Sequence, residues 1–311
     1  MADFNKKELR KALWGNLKKH RMLYIMVIPG IIYFIVFKYI PLLGNVIAFQ
    51  DYNIFKGIFN SSWIGIKNFT MLFQHGDFLR ILNNTIIINI YDLLFGFAAP
   101  LILALVINDI SNSYFRKGVQ QIVYLPHFLS WTILGGIVIT QLLSPSQGLI
   151  NLLLVKLGIE PVYFMTKANM ARPIVVLSGI WRDTGWGTVV YLAAMTAVSP
   201  SLYESASLDG AGKFRQLLSI TLPSIVPVIV TLFLLRIGHF MDYGFERIWV
   251  FSNASNTSVL ETFDTYIYKA GIQQGRYSYT TAVGLFKSVV GFILLFGGNK
   301  VSKKLTGEGL Y

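Results

Sequence analysis

The sequence predicts an all-α membrane protein of six transmembrane helices, with a short polar helix in the loop between the fourth and fifth. Three observations carry that prediction. Apolar runs recur at about the 20 residues a helix needs to cross the hydrocarbon layer. Only 14% of the 311 residues are charged and 54% are hydrophobic, with a mean hydropathy of +0.55, whereas a soluble domain is about one quarter charged. Lys and Arg gather beside alternate ends of the apolar runs, as they do on the cytoplasmic side of membranes.

Residues 1–21 form a basic cytoplasmic segment with Lys6, Lys7, Arg10, Lys11, Lys18, Lys19 and Arg21. The run from Met22 to about Phe49 follows. It exceeds the roughly 7–15 apolar residues of a signal peptide and ends in Pro41-Leu42-Leu43-Gly44 rather than a cleavage site, so it reads as an uncleaved first span. Further apolar runs at about 84–107, 119–143, 173–197, 220–240 and 279–298 complete a membrane domain over residues 22–298. Residues 299–311 form a tail with Lys300, Lys303 and Lys304. With the N-terminus inside, Arg116, Lys117, Lys213 and Arg215 also lie in the cytoplasm, while the opposite cations are spread over longer loops. Both termini and the loop at about 199–223 are then cytoplasmic, in a multi-pass protein of the cell membrane, of a layout that suits a bacterium. Pro29, Pro100 and Pro126 are expected to kink spans, and Gly135-Gly136 and Gly297-Gly298 to permit close helix packing.

The net charge of +12 and pI near 9.7 would suggest nucleic acid in a soluble protein. Here the cations flank apolar runs, so retention beside lipid accounts for them and no nucleic acid partner is expected. The chain has no cysteine, which excludes disulfides, thiolate metal sites and a Cys nucleophile. His20, His75, His127 and His239 are dispersed, and neither His-Glu-x-x-His nor Gly-x-Ser-x-Gly occurs, so no catalytic residue or metal site is assigned. Gly212-Lys213 is not a phosphate-binding loop: Phe214 stands where Ser or Thr is required, and Ser207 stands where the first Gly is required.

The 199–223 loop carries the most specific pattern. Ser201-Leu202-Tyr203-Glu204 has capping-box spacing, which starts a helix. Small residues (Ser205, Ala206, Gly210, Ala211, Gly212) then permit another protein surface to come close, and Glu204 and Asp209 can meet cations on it. Glu204, Ala206, Asp209, Gly210, Ala211, Phe214, Ile220, Leu222 and Pro223 match a loop of the form Glu-Ala-Ala, Gly, Ile-x-Leu-Pro. Ser205 replaces the middle Ala and is still small. In this the chain resembles the membrane-spanning permease subunits of binding-protein-dependent ABC sugar importers, of maltose type. Tyr39-Ile40-Pro41 and Phe49-Gln50-Asp51-Tyr52 resemble the branch handling complex or polymer-derived oligosaccharides. The resemblance implies a coupling helix seated on an ATPase subunit, with ATP and Mg held by that partner and no cofactor bound by this chain. It also implies a second homologous permease, two ATP-binding subunits and an extracytoplasmic sugar-binding protein as partners, with membrane lipid around the permeases.

Ionisable residues inside spans are costly unless they face protein or water. Arg182 and Asp183 fall in the fourth span, Arg236 and His239 in the fifth, and Lys287 in the sixth. At about 1.5 Å per residue, Asp183 and Arg236 reach overlapping depths, which allows an ion pair, a cavity lined by both, or helix packing around a structural pair. Arg182 and Trp186 share a helix face. With Tyr191 they make a mixture of aromatic and charged groups suited to sugars, so Arg182, Asp183, Trp186, Tyr191, Arg236 and His239 are the candidate cavity residues. The alternative function is an ion-coupled secondary transporter or channel using the same buried charges. Six spans, no inverted repeat and a loop built for docking weigh against it.

Overall fold

The computed structural model describes residues 15–16, 19–74, 76–307 and 309. Lys6, Lys7, Arg10, Lys11, Lys18 and His75 of the sequence reading lie outside the described residues. The chain divides into two compact units, Met1–Asn68 and Phe69–Tyr311.

The first unit is one long helical rod followed by a small hairpin. The rod, Arg21–Phe49, is long and apolar enough to cross a membrane, and none of its most apolar stretch is buried. Gln50–Asp51 then pairs antiparallel with Ser62–Trp63, in the register Gln50↔Trp63. Side chains stitch the hairpin to the rod end: Asn68 Nδ2 donates to the Ala48 and Gln50 carbonyls at 2.8 and 3.1 Å. The Phe49 and Trp63 rings stack at 5.7 Å.

The second unit is a helical bundle. Among the described residues of the whole chain, four helices are long and apolar enough to span: Arg21–Phe49, Gly76–Asn108, Lys213–Gly238 and Tyr277–Lys304. A fifth span results if Ser113–Phe128 and Trp131–Leu142, bent by 96°, are taken as one. The helix Ala168–Thr196 has 29 residues and a length of about 43 Å. It carries Arg172, Arg182 and Asp183 and stands outside that apolar set. Three apolar clusters hold the unit together, centred on Val175 with Phe251, on Phe78 with Phe263, and on Ala104 with Ile225.

Proline acts through wide turns. A proline lacks the N–H that bonds the carbonyl four residues back, and its ring crowds that carbonyl. The residues four before Pro41, Pro100 and Pro223 are Phe37, Gly96 and Ser219. Each lies in a π-helical turn: Ile35–Tyr39, Asp92–Gly96 and Leu217–Thr221. Pro126 lies in the 3-10 turn Leu125–Phe128 at the 96° break. Pro29, expected to kink its span, sits within the uninterrupted helix Arg21–Phe34. Of the paired glycines, Gly135 is a true close approach, since a Cβ there would fall 2.1 Å from Val250 Cγ1; Gly136 and Gly297 have nothing within 4 Å.

Candidate functional site

The centre of the second unit holds a charged group built by three helices. Asp92 lies in the π turn Asp92–Gly96, with a side chain only 7% exposed. It forms ion pairs with Arg236, near the end of Lys213–Gly238, and with Arg247 on the short helix Phe245–Phe251, where Nη1 to Oδ1 is 3.0 Å. Arg247 is itself buried. Its Nη2 donates to the Val175 and Val176 carbonyls at 3.3 Å, and its guanidinium lies 4.0 Å from the Tyr243 ring centroid. Gly179 makes room for it, because a Cβ there would fall 1.8 Å from Arg247 Nη2. One carboxylate thus satisfies two arginines in an environment where an unpaired charge would cost several kcal/mol, on the order of 3–5.

A second cluster faces it from the helix Ala168–Thr196. Asp183 Oδ1 accepts from Arg182 Nη1 at 2.8 Å and lies 3.1 Å from His127 Nδ1. His127, beside Pro126 at the bend, stacks on Trp186 with centroids 4.8 Å apart and planes 2° from parallel. Two cavities, of about 160 and 260 Å³, adjoin here, sharing Asp92, Asp183 and Arg236 as lining. His239 and Tyr243 complete the smaller one; His127, Thr184 and Trp186 complete the larger. Three lining residues carry buried polar atoms with no hydrogen-bond partner among the described residues: Thr184 Oγ1, the Tyr243 hydroxyl and Arg247 Nε. Unmatched polar atoms of this kind cost about 1–3 kcal/mol each, and all three are buried beneath the cavity walls rather than open to them.

Four of the six candidate cavity residues therefore come together: Asp183, Trp186, Arg236 and His239. Arg182 does not line either cavity. Its Nε donates to the Leu129 carbonyl at 3.1 Å and its guanidinium lies 4.7 Å from the Trp131 centroid, so it braces Asp183 from behind. Tyr191 is 2% exposed and packs in the cluster with Ala104, Met195 and Ile225, as core. Asp183 and Arg236 each take other partners but share the walls of both cavities, which is one of the arrangements their depths allow. Lys287 pairs with Asp242 and Asp264. Sequence reasoning missed His127, dismissed as one of four scattered histidines, and Arg247, which falls between the apolar runs at 220–240 and 279–298. The signal for Arg247 was its place in the apolar run Ile248-Trp249-Val250-Phe251.

The loop after Thr196 folds as the helix Pro200–Leu208. Its start differs from the capping-box expectation: Ser199 occupies the N-cap position and Pro200 the first turn, where a missing N–H costs nothing. Its end is a Schellman motif. Ala211 N–H donates to the Ala206 carbonyl at 2.9 Å and Gly210 N–H to the Ser207 carbonyl at 3.1 Å, with Gly210 at φ +76°. Glu204, Ser205, Asp209, Gly210, Phe214 and Pro223 are exposed; Ala206, Ala211, Ile220 and Leu222 are half-buried. The Tyr203 and Thr221 hydroxyls are 2.9 Å apart, and Lys213 Nζ meets Asp109 at 2.7 Å. The loop is thereby tied to the end of Gly76–Asn108 and to the base of Lys213–Gly238. Pro223 stands in the first turn of the α-helix Leu222–Gly238, directly after the π turn Leu217–Thr221.

Comparison with known proteins agrees with this architecture. Residues 96–307 match the family model described as "Binding-protein-dependent transport system inner membrane component". The chain is 47% identical over 306 residues to the polygalacturonan/rhamnogalacturonan transport system permease protein YteP of Bacillus subtilis (strain 168), covering 98% of this chain and 95% of the relative. It is 46% identical over 295 residues to Protein LplB of the same organism, covering 95% and 92%. Among solved structures, one chain of a bacterial ABC transporter involved in the import of the acidic polysaccharide alginate superposes with a TM-score of 0.88 at 40% identity, covering 95% of this chain and 99% of that one. A second structure of the bacterial alginate ABC transporter, in complex with an alginate pentasaccharide-bound periplasmic protein, gives the same score. With a family model matching most of its length and these relatives, the chain belongs to the inner membrane components of binding-protein-dependent transport systems.

Proposed function

We propose that this chain is one of two permeases in an ATP-driven ABC importer of an oligosaccharide bearing acidic groups. The observation that carries the reading is the pairing, in one helical unit, of arginine-lined cavities with an exposed, rigidly terminated loop helix. Relatives and a structural neighbour named for polygalacturonan and alginate support the substrate class. So does Arg236, whose side chain is 44% exposed on the cavity walls although Asp92 already holds it. A sugar carboxylate is the natural additional partner for such a guanidinium.

In this reading the bundle crosses the membrane six times, with Ala168–Thr196 as the fourth span and both termini cytoplasmic. Pro200–Leu208 is the coupling helix. An extracytoplasmic binding protein delivers substrate, and a second, homologous permease closes the cavity's open side. Two ATP-binding subunits hold the ATP and Mg. Lys213–Gly238 is then a lever about 39 Å long: its foot is tied to the coupling helix through Tyr203–Thr221 and its far end carries Arg236. Closure of the ATPases moves the foot and changes the walls around Arg236 and His239. The energy is the partner's, and this chain supplies the transmission.

Co-expression with the cognate second permease and ATPase tests the reading. The complex should survive detergent purification and hydrolyse ATP faster with loaded binding protein. Glu204→Ala and Gly210→Asp should each release the ATPase. A chain that moves solute in vesicles alone, driven by an ion gradient without ATP, would establish the secondary carrier instead.

A further inference from the structure

We propose that the tip of the hairpin in the first unit, residues 53–60, is an interfacial anchor that buries Phe55 and Phe59 in the outer leaflet of the lipid bilayer. This rests on the reading of Arg21–Phe49 as a first span that leads out of the cytoplasm.

The hairpin is built inside out. Its polar side chains turn inward and serve the backbone. Gln50 and Ser61 are each 7% exposed. Gln50 Nε2 donates to the Ile58 carbonyl at 2.9 Å. Ser61 Oγ donates to the Gly57 carbonyl at 2.6 Å and accepts from the Asn53 N–H at 3.1 Å. Asn53 Oδ1 accepts from the Phe55 N–H at 2.9 Å, and the Asn53 carbonyl accepts from the Lys56 and Gly57 N–H groups at 3.1 and 3.0 Å. The apolar side chains turn outward instead. Phe55 and Phe59 are 95% and 98% exposed, with Ile54, Ile58 and Trp63 exposed beside them. A loop made for water has the opposite arrangement, because bare rings are costly there and the backbone can bond to solvent. A backbone satisfied from within, under an apolar surface, suits lipid, where no water completes the hydrogen bonds.

The span sets the level of the tip. Its 29 residues measure about 43 Å, against about 30 Å for the hydrocarbon layer and about 40–45 Å with the headgroups. With Arg21 in the inner headgroup layer, Lys38 lies about 26 Å higher, where its amine can reach the outer headgroups. Phe49 then ends within the outer headgroup layer, and Asn68 and the Phe49–Trp63 stack fix the hairpin to that end. Residues 53–60 carry one charged side chain, Lys56. It is exposed among the apolar groups, as a cation facing lipid phosphates beside a buried apolar face would be. The bilayer also fits better than a protein. A binding protein comes and goes, which would leave both rings bare between encounters. The five apolar side chains of the hairpin fall short of the roughly 20–30 residues a side in a standard protein interface.

The test uses the assembled transporter, with partner subunits that lack cysteine, in sealed vesicles of phosphatidylethanolamine and phosphatidylglycerol. Phe55→Cys or Phe59→Cys supplies the sole thiol, because this chain has none, and each takes a nitrobenzoxadiazole label. A lipid with a nitroxide near the headgroup end of its acyl chain should quench roughly half of the emission. Iodide in the bath should quench far less than it quenches the free fluorophore, and loaded binding protein should change neither result. Strong iodide quenching without lipid quenching overturns the anchor. So does shielding from both quenchers, which would give the tip to the second permease, and so does iodide quenching that disappears only when loaded binding protein is added. Dithionite, which does not cross the bilayer, reports the side, and it should bleach the label from the face opposite the ATPases. Bleaching from the ATPase face overturns the orientation used in the importer reading, and the outer-leaflet assignment with it. A label bleached from the expected face but indifferent to the nitroxide lipid overturns the anchor alone.

Discussion

At the scale of single residues, Asp92 organises the interior. It lies between two guanidiniums, one of them on a side chain 8% exposed, so its removal leaves charge where water does not reach. Asp92→Asn should destabilise the purified complex by about 3–5 kcal/mol, read as a lowered melting temperature; a shift smaller than that of an exposed control such as Asp109→Asn would contradict the role given to Asp92. Part of this was legible in the sequence. A carboxylate inside an apolar run is expensive, so Asp92 and Asp183 both declared that something faces them. What faces them was not legible. The choice of Arg247 for Asp92 and His127 for Asp183 is made by helix crossings and by the bend at Pro126, which no spacing along the chain encodes. Tyr191 shows the opposite error: an aromatic on the same helix reads as a cavity residue, yet five residues beyond Trp186 it points about 140° away, into the core.

At the scale of elements, the loop helix Pro200–Leu208 was the most readable part of the chain and the polar contacts around it the least. The small residues read as room for a partner surface, and Gly210 also ends the helix, because the Schellman motif needs a left-handed residue at that point. Gly210→Ala should therefore cost about 1 kcal/mol locally and weaken ATPase retention, whereas Lys213→Ala, which removes an ion pair exposed on both sides, should change stability by less than about 0.5 kcal/mol. Both are measured by ATPase co-purification and melting. If Lys213→Ala proves the more damaging, the loop is held by charge rather than by backbone geometry. The start of the helix was misplaced because Ser201 and Ser199 both offer caps, and Pro200 decides between them only once its preference for the first turn is counted. Lys213–Gly238 also began earlier than hydropathy placed it. Its first turns carry Lys213, Arg215 and Gln216, which hide a helix from an apolar count.

At the scale of the whole molecule, the apolar count itself explains which spans were easy to see. Lipid selects strongly for the outside of a bundle and hardly at all for its interior. Arg21–Phe49, with none of its most apolar stretch buried, is unmistakable; Ala168–Thr196, which carries the cavity's aspartate and indole, contains the apolar run at 173–197 yet is not apolar enough over its length to join the four candidate spans. The helix least like a membrane span is thus the one nearest the proposed path, and its walls should exchange exposure during the transport cycle. The absence of cysteine from the chain makes this directly measurable. His239→Cys, exposed on the wall of the smaller cavity beside Arg236, should be the sole thiol of this subunit. In the assembled transporter in sealed vesicles, an impermeant maleimide should reach it from the cytoplasmic side without nucleotide and from the opposite side when the ATPases are trapped with ATP. Labelling from one fixed side in both states would mean that the cavity is a static vestibule, and that Lys213–Gly238 does not transmit the motion of its foot to the walls around Arg236.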